Sequence, residues 1–125
     1  MEVLFIEYPK CSTCRKARAW LEAQGVAFTS RHIVEEPPSA GELAAWQQAC
    51  GLPLRRFFNT SGMLYRELGV KKMLDDGMGD EEALQLLASN GMLVKRPLLV
   101  VDGVPAAPGF KEAAWRQALG LPQEQ

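Results

Sequence analysis

The sequence predicts an α/β fold built on a mixed four-stranded sheet with a helical segment inserted between its two halves. Three observations lead there. A strand, a helix and a second strand follow one another within the first 34 residues; residues of helical character occupy about 39–91; and a β-hairpin with a closing helix ends the chain. A length of 125 residues suits one domain over 1–125, large enough to bury a core.

Residues 2–7 (Glu2-Val3-Leu4-Phe5-Ile6-Glu7) read as a buried strand, and 12–24 as an amphipathic helix stopped by Gly25. Val26 to Val34 alternates like a second strand, which completes a βαβ unit with the right-handed crossover that such units take. Glu35-Glu36-Pro37-Pro38 breaks the pattern, and Ser39-Ala40-Gly41-Glu42 has the spacing of a capping box for a helix running to Gly51. Short helical pieces are expected over 54–58, 63–68 and 70–74, with Asn59-Thr60-Ser61-Gly62 as a turn between the first two. Asp80 is expected to cap a helix ending near Asn90-Gly91. Leu98-Leu99-Val100-Val101 has the unbroken apolar character of a central strand, Asp102-Gly103 is a two-residue hairpin turn, Val104 to Ala107 returns, and Gly109 to Glu112 opens the last helix. This is the thioredoxin-like arrangement with helices inserted in its middle.

Composition narrows the function. Hydrophobic residues at 47%, charged residues at 23% and a net charge of −1 describe an ordinary globular chain with no electrostatic reason to bind nucleic acid directly. No apolar run has the length of a membrane span, and the N-terminus lacks a signal-peptide pattern, so a cytoplasmic location and no membrane partner are expected. Three cysteines with one close pair do not make a disulfide framework. The chain is expected to act as a monomer without a bound cofactor or metal.

The chemistry concentrates at Cys11-Ser12-Thr13-Cys14, where the first strand gives way to the first helix. Free backbone N–H groups and the positive end of the helix dipole favour thiolate at Cys11, and Lys10 and Arg15 add positive charge. Cys14, one helical turn on, is within reach of a disulfide with Cys11. A zinc site would need four ligands, and only Cys50 and His32 remain, at spacings unlike a zinc module. Cys50 reads as a core thiol late in a helix, and His32 as a side chain flanking the sheet rather than a base. Arg96-Pro97 directly precedes the apolar strand, at the place where thioredoxin-like proteins carry a cis-proline facing the redox cysteine. Arg96 would then project toward Cys11, stabilising the thiolate and binding an oxyanion or carboxylate. Lys95 reads as a solvated loop charge.

The segments Tyr8-Pro9-Lys10-Cys11-Ser12-Thr13-Cys14-Arg15-Lys16-Ala17, Phe57-Phe58-Asn59-Thr60-Ser61-Gly62, Tyr65-Arg66-Glu67-Leu68, Lys95-Arg96-Pro97-Leu98-Leu99-Val100 and Gly109-Phe110 together resemble the arsenate reductase (ArsC)/Spx/MgsR family, in family order and over nearly the whole chain. The resemblance implies a thioredoxin fold with a helical insertion and one of two activities. Glutaredoxin-coupled arsenate reductases attack arsenate with the cysteine matching Cys11, release arsenite after glutathione attack, and hold the oxyanion with three arginines. Arg96 matches one of these, Asn59 stands at the second position, and Asp102 to Pro108 contains no arginine. Spx-like proteins use the Cys-x-x-Cys pair as a disulfide switch. They bind the C-terminal domain of the RNA polymerase α-subunit, near a glycine whose region here holds Gly51.

The expected activity is thiol-disulfide oxidoreduction on a small oxyanion or thiol substrate, with glutathione, glutaredoxin or thioredoxin as reductant; the alternative is redox-sensing regulation through RNA polymerase. The resemblance makes Cys11, Cys14 and Arg96 the catalytic residues, and Lys10, Ser12, Thr13, Arg15, Asn59 and Pro97 the substrate-binding ones.

Overall fold

The computed structural model describes residues 1–124. Strand β1 (Val3–Glu7) lies inside a four-stranded sheet of order β2-β1-β3-β4, parallel to β2 (Thr29–His32) and antiparallel to β3 (Leu98–Val101), which pairs antiparallel with β4 (Val104–Pro105). The register sets Ile6 against Leu98 and Phe5 against Leu99. Asp102 (φ 49°) and Gly103 (φ 82°) both adopt the left-handed backbone that a two-residue hairpin of this twist requires.

Alternation along β1 splits the core in two. Phe5 turns toward α1 (Ser12–Ala23) and α6 (Glu112–Leu119), where it packs with Ala17, Leu21, Trp115 and Leu119. Ile6 turns to the opposite face, onto α2 (Ala40–Cys50) and the inserted helices α3 (Met63–Glu67), α4 (Val70–Asp75) and α5 (Asp80–Ser89), with Leu43, Trp46, Val70 and Leu87 in the same cluster. The result is a sheet sandwiched between two helical layers. Glu7, buried at the end of β1, accepts from the Arg18 guanidinium of α1 and from the Ser30 hydroxyl of β2 (2.6 Å), which fixes α1 against β2 and against β1, the strand that leads into the cysteine turn.

Several boundaries differ from those expected. The second strand is confined to Thr29–His32, because only these residues find partners along β1. Gly79, extended at φ −75°, ψ 163°, is the cap of α5, so Asp80 sits inside the first turn beside Glu81 and Glu82, where the three charges face the positive end of the helix. The capping box at Ser39 and Glu42 forms as its spacing requires, and Gly51 (φ 70°) ends α2. A 3₁₀ turn over Leu54–Phe57 and another over Gly91–Leu93 bring Phe58 and Val94 into an isolated antiparallel bridge. That bridge, with Asn59 N–H on the Leu93 carbonyl (2.7 Å) and Lys95 N–H on the Phe57 carbonyl (2.7 Å), ties the inserted segment to the entry of β3. No helix of the described residues is long and apolar enough to cross a membrane.

Candidate active site

Cys11 is the N-cap of α1. Its backbone is extended (φ −85°, ψ 123°), and its sulfur accepts the Cys14 N–H at 3.4 Å. Serine, threonine or aspartate usually takes this position with an oxygen; here a sulfur meets the unpaired N–H groups. Burial pushes the Cys11 thiol up. The Cys14 N–H, the Cys14 thiol, the Thr13 N–H and the Arg96 charge together outweigh that cost, and its pKa lies below the ordinary thiol value.

Cys14 has the opposite environment. It is fully buried, and burial pushes its thiol up to about 12; the Tyr8 N–H on its sulfur (3.5 Å) opposes this, while the hydrogen bond and charge of Cys11 reinforce it. Of the two sulfurs, that of Cys11 is half-buried and that of Cys14 is hidden behind it. Tyr8 organises both: its carbonyl accepts the Cys11 N–H (2.9 Å), its N–H reaches Cys14, and its ring lies 5.2 Å beneath the Arg96 guanidinium.

The Arg96-Pro97 bond is cis, as the position before β3 led us to expect. Arg96 donates to the Met92 carbonyl (3.3 Å) and shares one cleft with Cys11 and Thr13. The cleft has a volume of about 660 Å³. It is lined too by the loop Pro108 to Lys111, fastened by the Gly109 N–H to the Pro97 carbonyl (3.1 Å) and by the Trp115 indole N–H to the Gly109 carbonyl (3.1 Å). Buried Asn59 also lines it, followed by Thr60, Ser61 and Gly62.

Cys11, Thr13, Asn59 and Arg96 are thus brought together, whereas Lys10, Ser12, Arg15 and Pro97 do not line this cleft. Lys10 and Ser12 point to solvent. Arg15 is exposed on a separate surface hollow with its guanidinium on the Pro9 carbonyl (3.2 Å), because a step of one residue beyond Cys14 turns the side chain well round the helix axis. Pro97 is buried behind Arg96. Lys95, expected as a solvated loop charge, is half-buried and lines the cleft.

Sequence reasoning missed Arg55, Arg56 and Lys111, which also line it. The one signal for them was the adjacent pair of arginines just before Phe57-Phe58-Asn59. Among the described residues, no group of three or more His, Cys, Asp and Glu side chains is placed to hold a metal ion.

Comparison with known proteins places this geometry in a family. The ArsC family model matches residues 6–118. The protein YusI of Bacillus subtilis, itself uncharacterized, is 54% identical over 112 residues, which span 90% of this chain and 93% of YusI. An arsenate reductase of Rhizobium meliloti is 32% identical over 80% of this chain and 69% of its own length. The global transcriptional regulator Spx 1 of Oceanobacillus iheyensis is 30% identical over 89% of this chain and 82% of its own. The crystal structure of an ArsC family related protein from Bacteroides fragilis superposes with a TM-score of 0.88 at 46% identity, covering 94% of this chain and 98% of that one. With a family match from the first strand into the last helix and a relative identical at more than half of the aligned positions, the chain belongs to the ArsC family.

Proposed function

We propose that the protein is a thiol-disulfide oxidoreductase in which Cys11 is the attacking thiolate, Cys14 the resolving thiol and Arg96 the cation that steadies the thiolate and meets negative charge on the substrate. The observation that carries this reading is the asymmetry of the pair: a solvent-facing sulfur whose pKa is lowered by amide groups stands in front of a fully buried one held at about 12. A substrate meets only the first, and the second reaches only the first.

In the first step the Cys11 thiolate bonds to one sulfur of a disulfide and the other sulfur leaves as a thiolate. Cys14 then attacks the Cys11 sulfur, gives up its proton to the departing thiolate, and leaves a Cys11–Cys14 disulfide. Two electrons have passed to the substrate, and a low-molecular-weight thiol such as glutathione, or a dithiol protein of the glutaredoxin or thioredoxin type, resets the pair. A reducing cytoplasm is the compartment in which that reset is supplied. The test is to titrate the reduced protein with a small disulfide and map the product: a Cys11–Cys14 bond, lost in Cys11→Ser, supports the reading, and a protein that stays reduced contradicts it. Arsenate, the substrate named for the Rhizobium meliloti relative, is assayed in parallel with glutathione and glutaredoxin as the source of electrons.

A second reading is favoured by the match to Spx 1. There the same disulfide biases docking to a partner, with RNA polymerase, through its α-subunit, as the candidate. Capture of the polymerase by only one redox form, without turnover of disulfide or arsenate, selects this reading over the first.

A further inference from the structure

His32 ends β2 and stands opposite Glu7 in the β1 register, beside the residue that precedes Tyr8. Its ring is held by its own turn. Nδ1 accepts the backbone N–H groups of Val34 (3.1 Å) and Glu35 (3.2 Å), and the His32 carbonyl accepts the Glu36 N–H (2.9 Å). A ring nitrogen that accepts two N–H donors carries no proton, so the imidazole is neutral with its proton on Nε2. Its one lone pair is spent on the turn, which leaves none to act as a base.

The ring so held meets that of Tyr8 at 86°, with centroids 5.9 Å apart, an edge-to-face arrangement that contributes beyond the area it buries. Tyr8 in turn serves both cysteines through its backbone, and its ring lies 5.2 Å from the Arg96 guanidinium. The backbone contacts fix the main chain at Tyr8. The half-buried ring takes its orientation from what packs against it.

These contacts close into a circuit. Arg96 is tied on one side to the Met92 carbonyl (3.3 Å) and on the other to the Tyr8 ring. Met92 belongs to the 3₁₀ turn Gly91–Leu93, and the Gly91 backbone lies so near the Ile33 carbonyl that no Cβ fits between them. Ile33 follows His32, whose ring returns to Tyr8. Only the two links at the Tyr8 ring join side chain to side chain. Removing the His32 ring therefore opens the circuit at its softest point and frees the Tyr8 ring to turn away from Arg96.

We propose, on the basis of the thiol-disulfide reading above, that His32 is a positioning residue for this chemistry: its neutral ring, locked by the turn it caps, braces the Tyr8 ring and thereby holds the Arg96 guanidinium in the cleft it shares with Cys11. No bond forms or breaks at His32, and no proton passes through it. It acts by keeping in place one of the charges that favour the Cys11 thiolate.

The experiment is the pH dependence of Cys11 alkylation by iodoacetamide, in a Cys50→Ser background, for His32→Asn and His32→Phe, each with Tyr8 intact and with Tyr8→Leu. Asparagine keeps an oxygen that can accept the turn N–H groups but loses the ring; phenylalanine keeps a ring against Tyr8 but loses the acceptor. His32→Asn is expected to raise the Cys11 midpoint by about 0.3–0.5 unit, or about two- to threefold less thiolate below the midpoint, which is at most the worth of the cation–π contact the ring supports. His32→Phe is expected to keep the wild-type midpoint. In Tyr8→Leu, where the ring to be braced is gone, His32→Asn is expected to add nothing. An unmoved midpoint in His32→Asn, an equal shift in His32→Phe, or a His32→Asn shift that persists in full in Tyr8→Leu overturns the proposal. Hydroxyethyl disulfide added to the same Cys50→Ser protein with His32 and Tyr8 intact tests the underlying reading separately. Closure of a Cys11–Cys14 bond leaves that reading standing whatever His32 does, and a pair that stays reduced overturns both.

Discussion

Replacing Cys14 by alanine separates its two roles. The backbone N–H of Cys14, 3.4 Å from the Cys11 sulfur, survives the change, as does the Thr13 N–H; what disappears is the thiol proton directed at Cys11. A hydrogen bond to a charged acceptor contributes about 1.5–3 kcal/mol, and a thiol is a weak donor, which puts this one at the low end. At about 1.4 kcal/mol per pKa unit, the Cys11 pKa should rise by about one unit. Cys14→Ser keeps a donor at the same place and should move it far less, although neither variant can close the disulfide. The assay is the pH dependence of iodoacetamide alkylation, carried out in a Cys50→Ser background because Cys50 is also a half-buried free thiol. Equal midpoints for the alanine and serine variants, or a lower midpoint for alanine, would refute the idea that the buried thiol helps hold its neighbour ionised.

Three further perturbations test the frame around the pair. Tyr8→Leu removes the ring 5.2 Å beneath Arg96 and should raise the alkylation midpoint of Cys11 by less than about one unit, since a cation–π contact contributes ~0.5–1 kcal/mol, whereas Tyr8→Phe should leave it in place. Glu42 is held down to about 2 by hydrogen bonds from the Arg31 fork (both 2.8 Å). A depressed carboxyl contributes its full stability above its ordinary pKa, so the difference in unfolding free energy between wild type and Glu42→Gln, measured by urea denaturation, should be constant above about pH 4.5 and close as pH falls toward about 2; with the side chain partly exposed, the difference amounts to about 1 kcal/mol. A gap that persists at the acid end would contradict the assignment. Gly91→Ala places a Cβ 1.9 Å from the Ile33 carbonyl oxygen, backbone against backbone, and should cost about 3 kcal/mol or more by urea denaturation; a loss under about 1 kcal/mol would show that the two segments part easily.

What could be read in the sequence was what local chemistry encodes. The Ser39-to-Glu42 capping box, the left-handed stop at Gly51 and the Asp102-Gly103 hairpin depend on residues within four positions of each other, and all three form. The strand-to-helix turn at Cys11 was legible for the same reason, and with it the N-terminal N–H groups that lower the thiol's pKa. The second strand was overextended because alternation in Val26 to Phe28 reports burial against the α1 and α6 layer and says nothing about which residues find a partner on β1. Asp80 was placed one position early because glycine, lacking a side chain to announce itself, took the cap.

The cationic cleft was the larger gap. Arg56, Lys95 and Lys111 come from three segments far apart in the chain, and only the Phe58–Val94 bridge and the fastening of Gly109 to Pro97 bring them to one hollow. Conversely, Lys10 and Arg15 are neighbours of Cys11 in sequence yet lie away from the cleft: Lys10 belongs to the exposed turn before α1, and Arg15 faces another side of the helix. Counting arginines by position therefore understated the positive charge that the site presents.

The most direct measurement is site-resolved alkylation of the reduced wild-type protein across pH, with each cysteine followed separately by mass spectrometry. Cys11 should react first, with a midpoint below that of an ordinary thiol, and Cys14 should stay protected until the pH approaches about 12 or the fold opens. If Cys14 is modified before Cys11, or if Cys11 titrates at or above the ordinary thiol range, the amide groups at the start of α1 do not hold a thiolate, and the proposed chemistry has no nucleophile.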